Sequence, residues 1–187
     1  MHTVLGIDPG LAATGYGLVA SSGNRISHID HGVIRTAAAE EYGQRLLAIR
    51  DRLQAIVVEH RPEEAAIEHL YFSRNVKTAI PVAQARGVII LVLTEFGVPF
   101  SEYQPGVIKQ AVAGQQRAEK QQVIGAVRLV LGLPEEPDAS HSADALAVAL
   151  CHCQHAGVRA AVEMASAAQA AAAAQSAAAA QSGATAT

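Results

Sequence analysis

The chain has 187 residues, half of them hydrophobic, and a formal net charge of −3. That is enough apolar material for one well-buried domain, but too little chain for the two halves of an actin-like ATPase. No apolar run reaches the length of a membrane span, the N-terminus lacks a basic region followed by an apolar stretch, and Cys151 and Cys153 are too close to staple a fold. These features are those of a cytosolic protein in a reducing compartment.

Val4-Leu5-Gly6-Ile7 is an apolar strand that stops on Asp8, and Pro9-Gly10 turns the chain after it. A carboxylate at the end of such a strand projects from a sheet edge. It can be the first acid of a metal-dependent nuclease, part of a turn that wraps a nucleotide phosphate, or a residue that only shapes the turn. Thr14 to Ala20 alternates with period two and returns as a partner strand. Gly23-Asn24 then turns into a third strand over Arg25–Ile34.

From Glu41 to His60, Leu46, Leu47, Ile49, Leu53, Ile56 and Val57 recur at helical spacing, and Pro62 ends the helix. Ala65-Ala66-Ile67 is a short strand that again finishes on a carboxylate, Glu68. Asn75 to Phe96 is a long apolar helix, interrupted or started late by Pro81, with Ala83 and Gly87 spaced for close approach of another backbone. Gly97 closes it, and the fifth strand spans Val98–Tyr103. Helices follow over Pro105–Ala113, Ala118–Leu131 and about Ala139–His155. Three meandering strands followed by alternating helix and strand predict a mixed α/β sheet covered by helices. From residue 157 to Thr187 the chain is mostly Ala, Gln and Ser, with little to bury, and reads as a mobile tail after a folded domain of residues 1–156.

Charge is unevenly placed. Between Tyr71 and Lys120 lie Arg74, Lys77, Arg86, Lys109, Arg117 and Lys120 against Glu95, Glu102 and Glu119, while both flanking segments are net acidic. A basic middle of this kind suits an anionic polymer, and equally an ordinary solvated surface. Asp8, Glu68 and Asp144 form the candidate site. Carboxylates gathered at adjacent strand ends repel unless a cation neutralises them, and hard oxygen ligands suit Mg²⁺ or Mn²⁺. His141 precedes Asp144 by three residues and shares its helix face, as either a ligand or a helix-end residue. Asp138, after Pro137, reads as an N-cap. Cys151, His152, Cys153 and His155 lack the spacing of a zinc site, and Cys151 reads as core.

The strings GIDPGLAATGYG, AIEHLYFSRN, AQARGVI, AEKQQV and SADALAVA, in this order and spacing, resemble the RuvC family of Holliday-junction resolvases over roughly residues 3–155. The resemblance implies a ribonuclease-H-like α/β fold with a mixed five-stranded sheet, three strands antiparallel and two parallel, flanked by helices. It implies a homodimer that nicks four-way DNA junctions in symmetric pairs, with a branch-migration motor as further partner. It makes Asp8, Glu68 and Asp144 metal-binding carboxylates. His141 stands where the best-known members carry a fourth acid, so Mn²⁺ is expected to be preferred to Mg²⁺, with two ions per site. Lys109 and Lys120 match basic residues near the cleaved phosphate, and Tyr71 matches an aromatic that stacks on a base, with Phe72 beside it. Arg74, Lys77, Arg86 and Arg117 complete the expected DNA-binding set. The competing functions are a nucleotide-binding ATPase built on the Asp8 turn and a junction-binding protein without catalysis.

Overall fold

Strands β1 (His2–Asp8), β2 (Ala13–Ser22) and β3 (Arg25–Arg35) come first, then helix α1 (Tyr42–His60), β4 (Glu64–Glu68), α2 (Val76–Glu95), β5 (Phe100–Tyr103), α3 (Pro105–Ala113) and α4 (Lys120–Leu131). A last helix, α5, spans residues 140–155. This computed structural model describes residues 1–23, 25–69, 76–137 and 140–155, with the side chains of 76–78 excepted. The chain divides into two units, Met1–Cys153 and Gln154–Thr187. The tail expected over 157–187 lies outside the described residues.

The sheet has the order β3-β2-β1-β4-β5, with β1, β2 and β3 antiparallel and β4 and β5 parallel to β1. Side chains alternate across it, because successive Cβ atoms on a strand point to opposite faces. Leu5, Ile7, Ala65 and Ile67 pack with Ile49, Leu53, Ile89 and Leu93 of α1 and α2. Val4, Val19 and Ala66 face the other way, onto a core shared by α3, α4 and α5. By the same parity Gly6, Asp8 and Glu68 belong to the α5 face.

Three differences from the sequence reading have a visible cause. α2 runs through Pro81, which sits in its second turn. The lost N–H there removes one hydrogen bond, and burial of Ala85, Ile89, Val92 and Leu93 outweighs it. β5 begins at Phe100 rather than Val98, because the Val98 N–H turns back to the Leu93 carbonyl at 2.8 Å. α4 begins at Lys120 rather than Ala118, because Glu119 is its N-cap and the Gln122 side chain accepts from the Glu119 N–H at 2.8 Å. Leu47, counted in the apolar stripe of α1, is 49% exposed.

α5 positions the site. Ala145, Leu146, Val148, Ala149 and Leu150 are all at most 1% exposed, so the helix is buried all round, between the sheet and the α3–α4 layer. It approaches the sheet closely because the strands are bare beneath it. A Cβ on Gly6 would run into the Ala145 carbonyl oxygen, and one on Gly15 into that of His141. Gly15→Ala should therefore lift the start of α5 and lower stability by about 1–3 kcal/mol. Gly125 sits inside α4 with open space around it. Gly125→Ala should raise stability by about 0.5–1 kcal/mol, because only backbone entropy changes. Urea unfolding midpoints of the two variants test both signs.

Candidate active site

The parallel register of β1 and β4 pairs Gly6 with Ala66 and Ile7 with Ile67, so the next residues, Asp8 and Glu68, end the two strands side by side. Thr14, fully buried, braces the turn after Asp8 by donating to the Gly10 carbonyl at 2.6 Å. α5 then brings His141 and Asp144 over the same sheet end, three residues apart on one helix face. His141 Nδ1 lies 2.7 Å from Asp8 Oδ2. Ligand atoms of Asp8, His141 and Asp144 all fall within 4.8 Å of one another. Glu68 is outside that group of three, but its carboxyl is hydrogen-bonded to Asp8.

Electrostatics follow from the crowding. Burial pushes the Glu68 carboxyl up to about 7, and the charges of Asp8 and Asp144 add to the rise. Asp8 is raised as well, chiefly by burial and also by Asp144, against the lowering effect of the His141 bond. Glu68 is thus held protonated and donates to Asp8. A carboxyl group raised to about 7 beside a second one raised by burial marks a shortage of positive charge. Two carboxylates and an imidazole nitrogen within reach of one point are a donor set that fits a divalent cation.

Beside the cluster lies a cavity of about 230 Å³ lined by Glu68, Asp144, Lys109, Lys120, Pro105 and Ile108. Lys120, the first residue of α4, donates to Asp144 Oδ2 at 2.8 Å. Lys109 on α3 donates to the Ala118 carbonyl at 2.8 Å, which ties α3 to the start of α4. Arg117 is exposed in the turn just before α4. Arg86 is placed differently from a free surface base: it forms an ion pair with Glu102, and each side chain is 26% exposed. Tyr71, Phe72 and Arg74 lie outside the described residues, as do the side chain of Lys77 and the expected cap Asp138.

Cys151 is fully buried in the core, and burial pushes its thiol up to about 12 and that of Cys153 up to about 11, so both stay neutral. The sequence reading missed the roles of Thr14 and Gly15. A polar residue fixing the turn behind a strand-end acid is the one available signal for the first, and a Gly in a period-two strand for the second.

A family model described as crossover junction endodeoxyribonuclease RuvC matches residues 4–152. The crossover junction endodeoxyribonuclease RuvC of Heliobacterium modesticaldum is 50% identical over 152 residues, 81% of this chain and 93% of that one. The one from Treponema denticola is 50% identical over 147 residues, 79% and 83% of the two chains. Among solved structures, Thermus thermophilus RuvC in complex with Holliday junction substrate matches with a TM-score of 0.81 at 38% identity, over 84% of this chain and 96% of that one. The yeast mitochondrial Holliday junction resolvase Ydc2, 13% identical over 83% of this chain and 80% of that one, has a TM-score of 0.60 and shares the fold. With its mixed five-stranded sheet, its strand-end acids and these relatives, the chain belongs to the RuvC family of crossover junction endodeoxyribonucleases.

Proposed function

We propose that the chain resolves Holliday junctions as a divalent-metal-dependent endonuclease that makes paired, symmetric nicks in four-way DNA during recombination and repair. The observation that carries this reading is the meeting of Asp8, Glu68, His141 and Asp144 at one sheet end, beside a cavity that presents Lys109 and Lys120. A divalent ion bound there supplies water activation and neutralises charge in an in-line phosphodiester displacement. Asp8, Glu68 and Asp144 hold it, with His141 as the fourth ligand. Lys109 and Lys120 stabilise the charge that grows on the scissile phosphate, leaving a 5′-phosphate and a 3′-hydroxyl. Two ions per site suit a displacement with an attacking and a leaving oxygen. Imidazole in place of a carboxylate favours Mn²⁺ over Mg²⁺.

A homodimer places two such sites about a twofold axis that matches the junction's symmetry. The outer stripe of α2 supports it as the interface: Ile80 and Leu91 are 54% and 55% exposed, and Gly87 between them faces open space. A branch-migration motor as further partner rests on the family resemblance, and a cytosolic setting on the apolar runs and the cysteine usage. Among the described residues no helix is long and apolar enough to cross a membrane. We read residues 157–187 as a linker rather than part of the nuclease domain. The ATPase alternative needs a second phosphate loop after Glu68, where the chain reads His69-Leu70-Tyr71-Phe72 without a glycine turn.

The direct test is a labelled four-way junction incubated with Mg²⁺ or Mn²⁺ and examined for symmetric nicks; binding without nicks would leave only a junction-binding protein. Asp8→Asn should abolish cutting while junction affinity in a gel shift stays near wild type, and near-normal cutting would remove Asp8 from the ligand set. His141→Asp should narrow the ratio of Mn²⁺ to Mg²⁺ cleavage rates, and an unchanged ratio makes His141 a bystander.

The raised carboxyl groups also predict how the metal-free protein responds to pH. Folding favours the protonated form of Glu68, so its stabilising contribution is complete below its ordinary value of 4.5 and is lost as pH rises through about 7. The melting temperature of metal-free protein should fall across that interval. Mn²⁺ should reverse the loss, and Glu68→Gln should flatten the curve; an equal fall in Glu68→Gln would assign the slope to other groups.

A further inference from the structure

Three turns along α5 from His141, on the same helix face, stands a second histidine with a carboxylate partner. His152 is 1% exposed. Its Nε2 lies 2.6 Å from Glu64 Oε2 at the start of β4, and its Nδ1 lies 3.0 Å from the Tyr103 hydroxyl at the end of β5. Glu64 also takes His2 Nε2 of β1 at 3.1 Å. Burial pushes the Glu64 carboxyl up, but the bonds from His152 and His2 outweigh it and hold it below its ordinary value. As a carboxylate Glu64 only accepts, so His152 donates through Nε2 while its Nδ1 pairs with the Tyr103 hydroxyl.

The surface that α5 lays on the sheet is mostly small and apolar. Ala145 and Ala149 meet Gly6, the His141 carbonyl meets Gly15, and Leu146 meets Gly17. Such small residues permit close approach, but apolar burial is non-directional and sets axial position weakly. The bonds of His152 are directional, and their partners lead straight to the site. Glu64 opens the strand that ends in Glu68. Tyr103 pairs with Glu68 in the sheet, and its carbonyl takes the His69 N–H at 2.8 Å. Pro105 then starts α3, which carries Lys109.

We propose that His152, clamped between Glu64 and Tyr103, is a positioning residue that fixes how far α5 lies along the sheet, and so sets His141 and Asp144 against Asp8 and Glu68. A residue of helix rise is about 1.5 Å. A misplacement of about 1 Å costs reaction rates roughly 10²-fold. The clamp is therefore within the range that matters for a site assembled from three elements. This inference rests on the nuclease reading, and its test separates the two.

The test uses the full-length protein and the variants Tyr103→Phe, Glu64→Gln and His152→Gln. Mn²⁺ binding is titrated by electron paramagnetic resonance without DNA, and junction cleavage is followed in single turnover. Tyr103→Phe removes one hydroxyl and should stay folded, bind Mn²⁺ about 10-fold more weakly and cut correspondingly slower. Its junction affinity without metal should equal wild type. Val57→Ala, a core change on the opposite face of the sheet, should lose melting temperature but keep wild-type Mn²⁺ affinity. If His152→Gln or Glu64→Gln fails to fold, Tyr103→Phe decides alone. Wild-type Mn²⁺ affinity and rate in Tyr103→Phe, or an equal loss in Val57→Ala, overturns the clamp. A wild-type protein that binds Mn²⁺ but does not cut overturns the nuclease reading instead.

Discussion

Asp8, Glu68 and Asp144 repel one another, and the close seating of α5 on the sheet forces them together. Every other feature of the site answers that repulsion. Glu68 keeps a proton, His141 bonds Asp8, and Lys120 reaches across from α4 to Asp144. None of these would be needed if α5 stood further off. It cannot stand further off while its alanines lie against Gly6 and its first turn against Gly15. Packing energy, non-directional and distributed over the core, is converted here into a local concentration of negative charge.

That conversion explains why the molecule has its polar bonds where it does. Along α5 the apolar middle is continuous, and the histidine–carboxylate pairs fall near the two ends, at Asp8–His141 and Glu64–His152. Both pairs join the helix to strands of the central β1–β4 pair. Their surroundings differ. The His141 side chain is 45% exposed and open to ligands, while that of His152 is 1% exposed and sealed. One geometry thus recurs at an open end and at a closed one.

The parts of this arrangement that strand pattern dictates were legible in the sequence. Apolar runs that stop on Asp8 and Glu68 disclose both acids, since alternation and turn chemistry are local. The place of Asp144 on a helix was legible too. The partnership of His141 with Asp8 was not, because nothing local shows which strand lies under which helix turn. Nor was the state of Arg86. Its ion pair with Glu102 joins residues of α2 and β5, and a charge count along the chain registers both as free. The reach of α2 through Pro81 also escaped a local reading, because tertiary burial outweighed a backbone rule.

The fate of the charges changes how the basic stretch must work. Counted in sequence, six bases face three acids between Tyr71 and Lys120. In the fold Arg86 is neutralised by Glu102, and Lys120 is engaged by Asp144. The Lys120–Asp144 pair is half open to water, with side chains 51% and 27% exposed, so it is weak enough to exchange. A divalent cation held by Asp8, His141 and Asp144 would compete with the Lys120 ammonium for one carboxylate. Lys120 lies at the wall of the cavity, so its ammonium would be left facing that cavity if a cation took its place on Asp144. The repulsion that raises Glu68 and the basic character of the cavity thus meet at one carboxylate, Asp144.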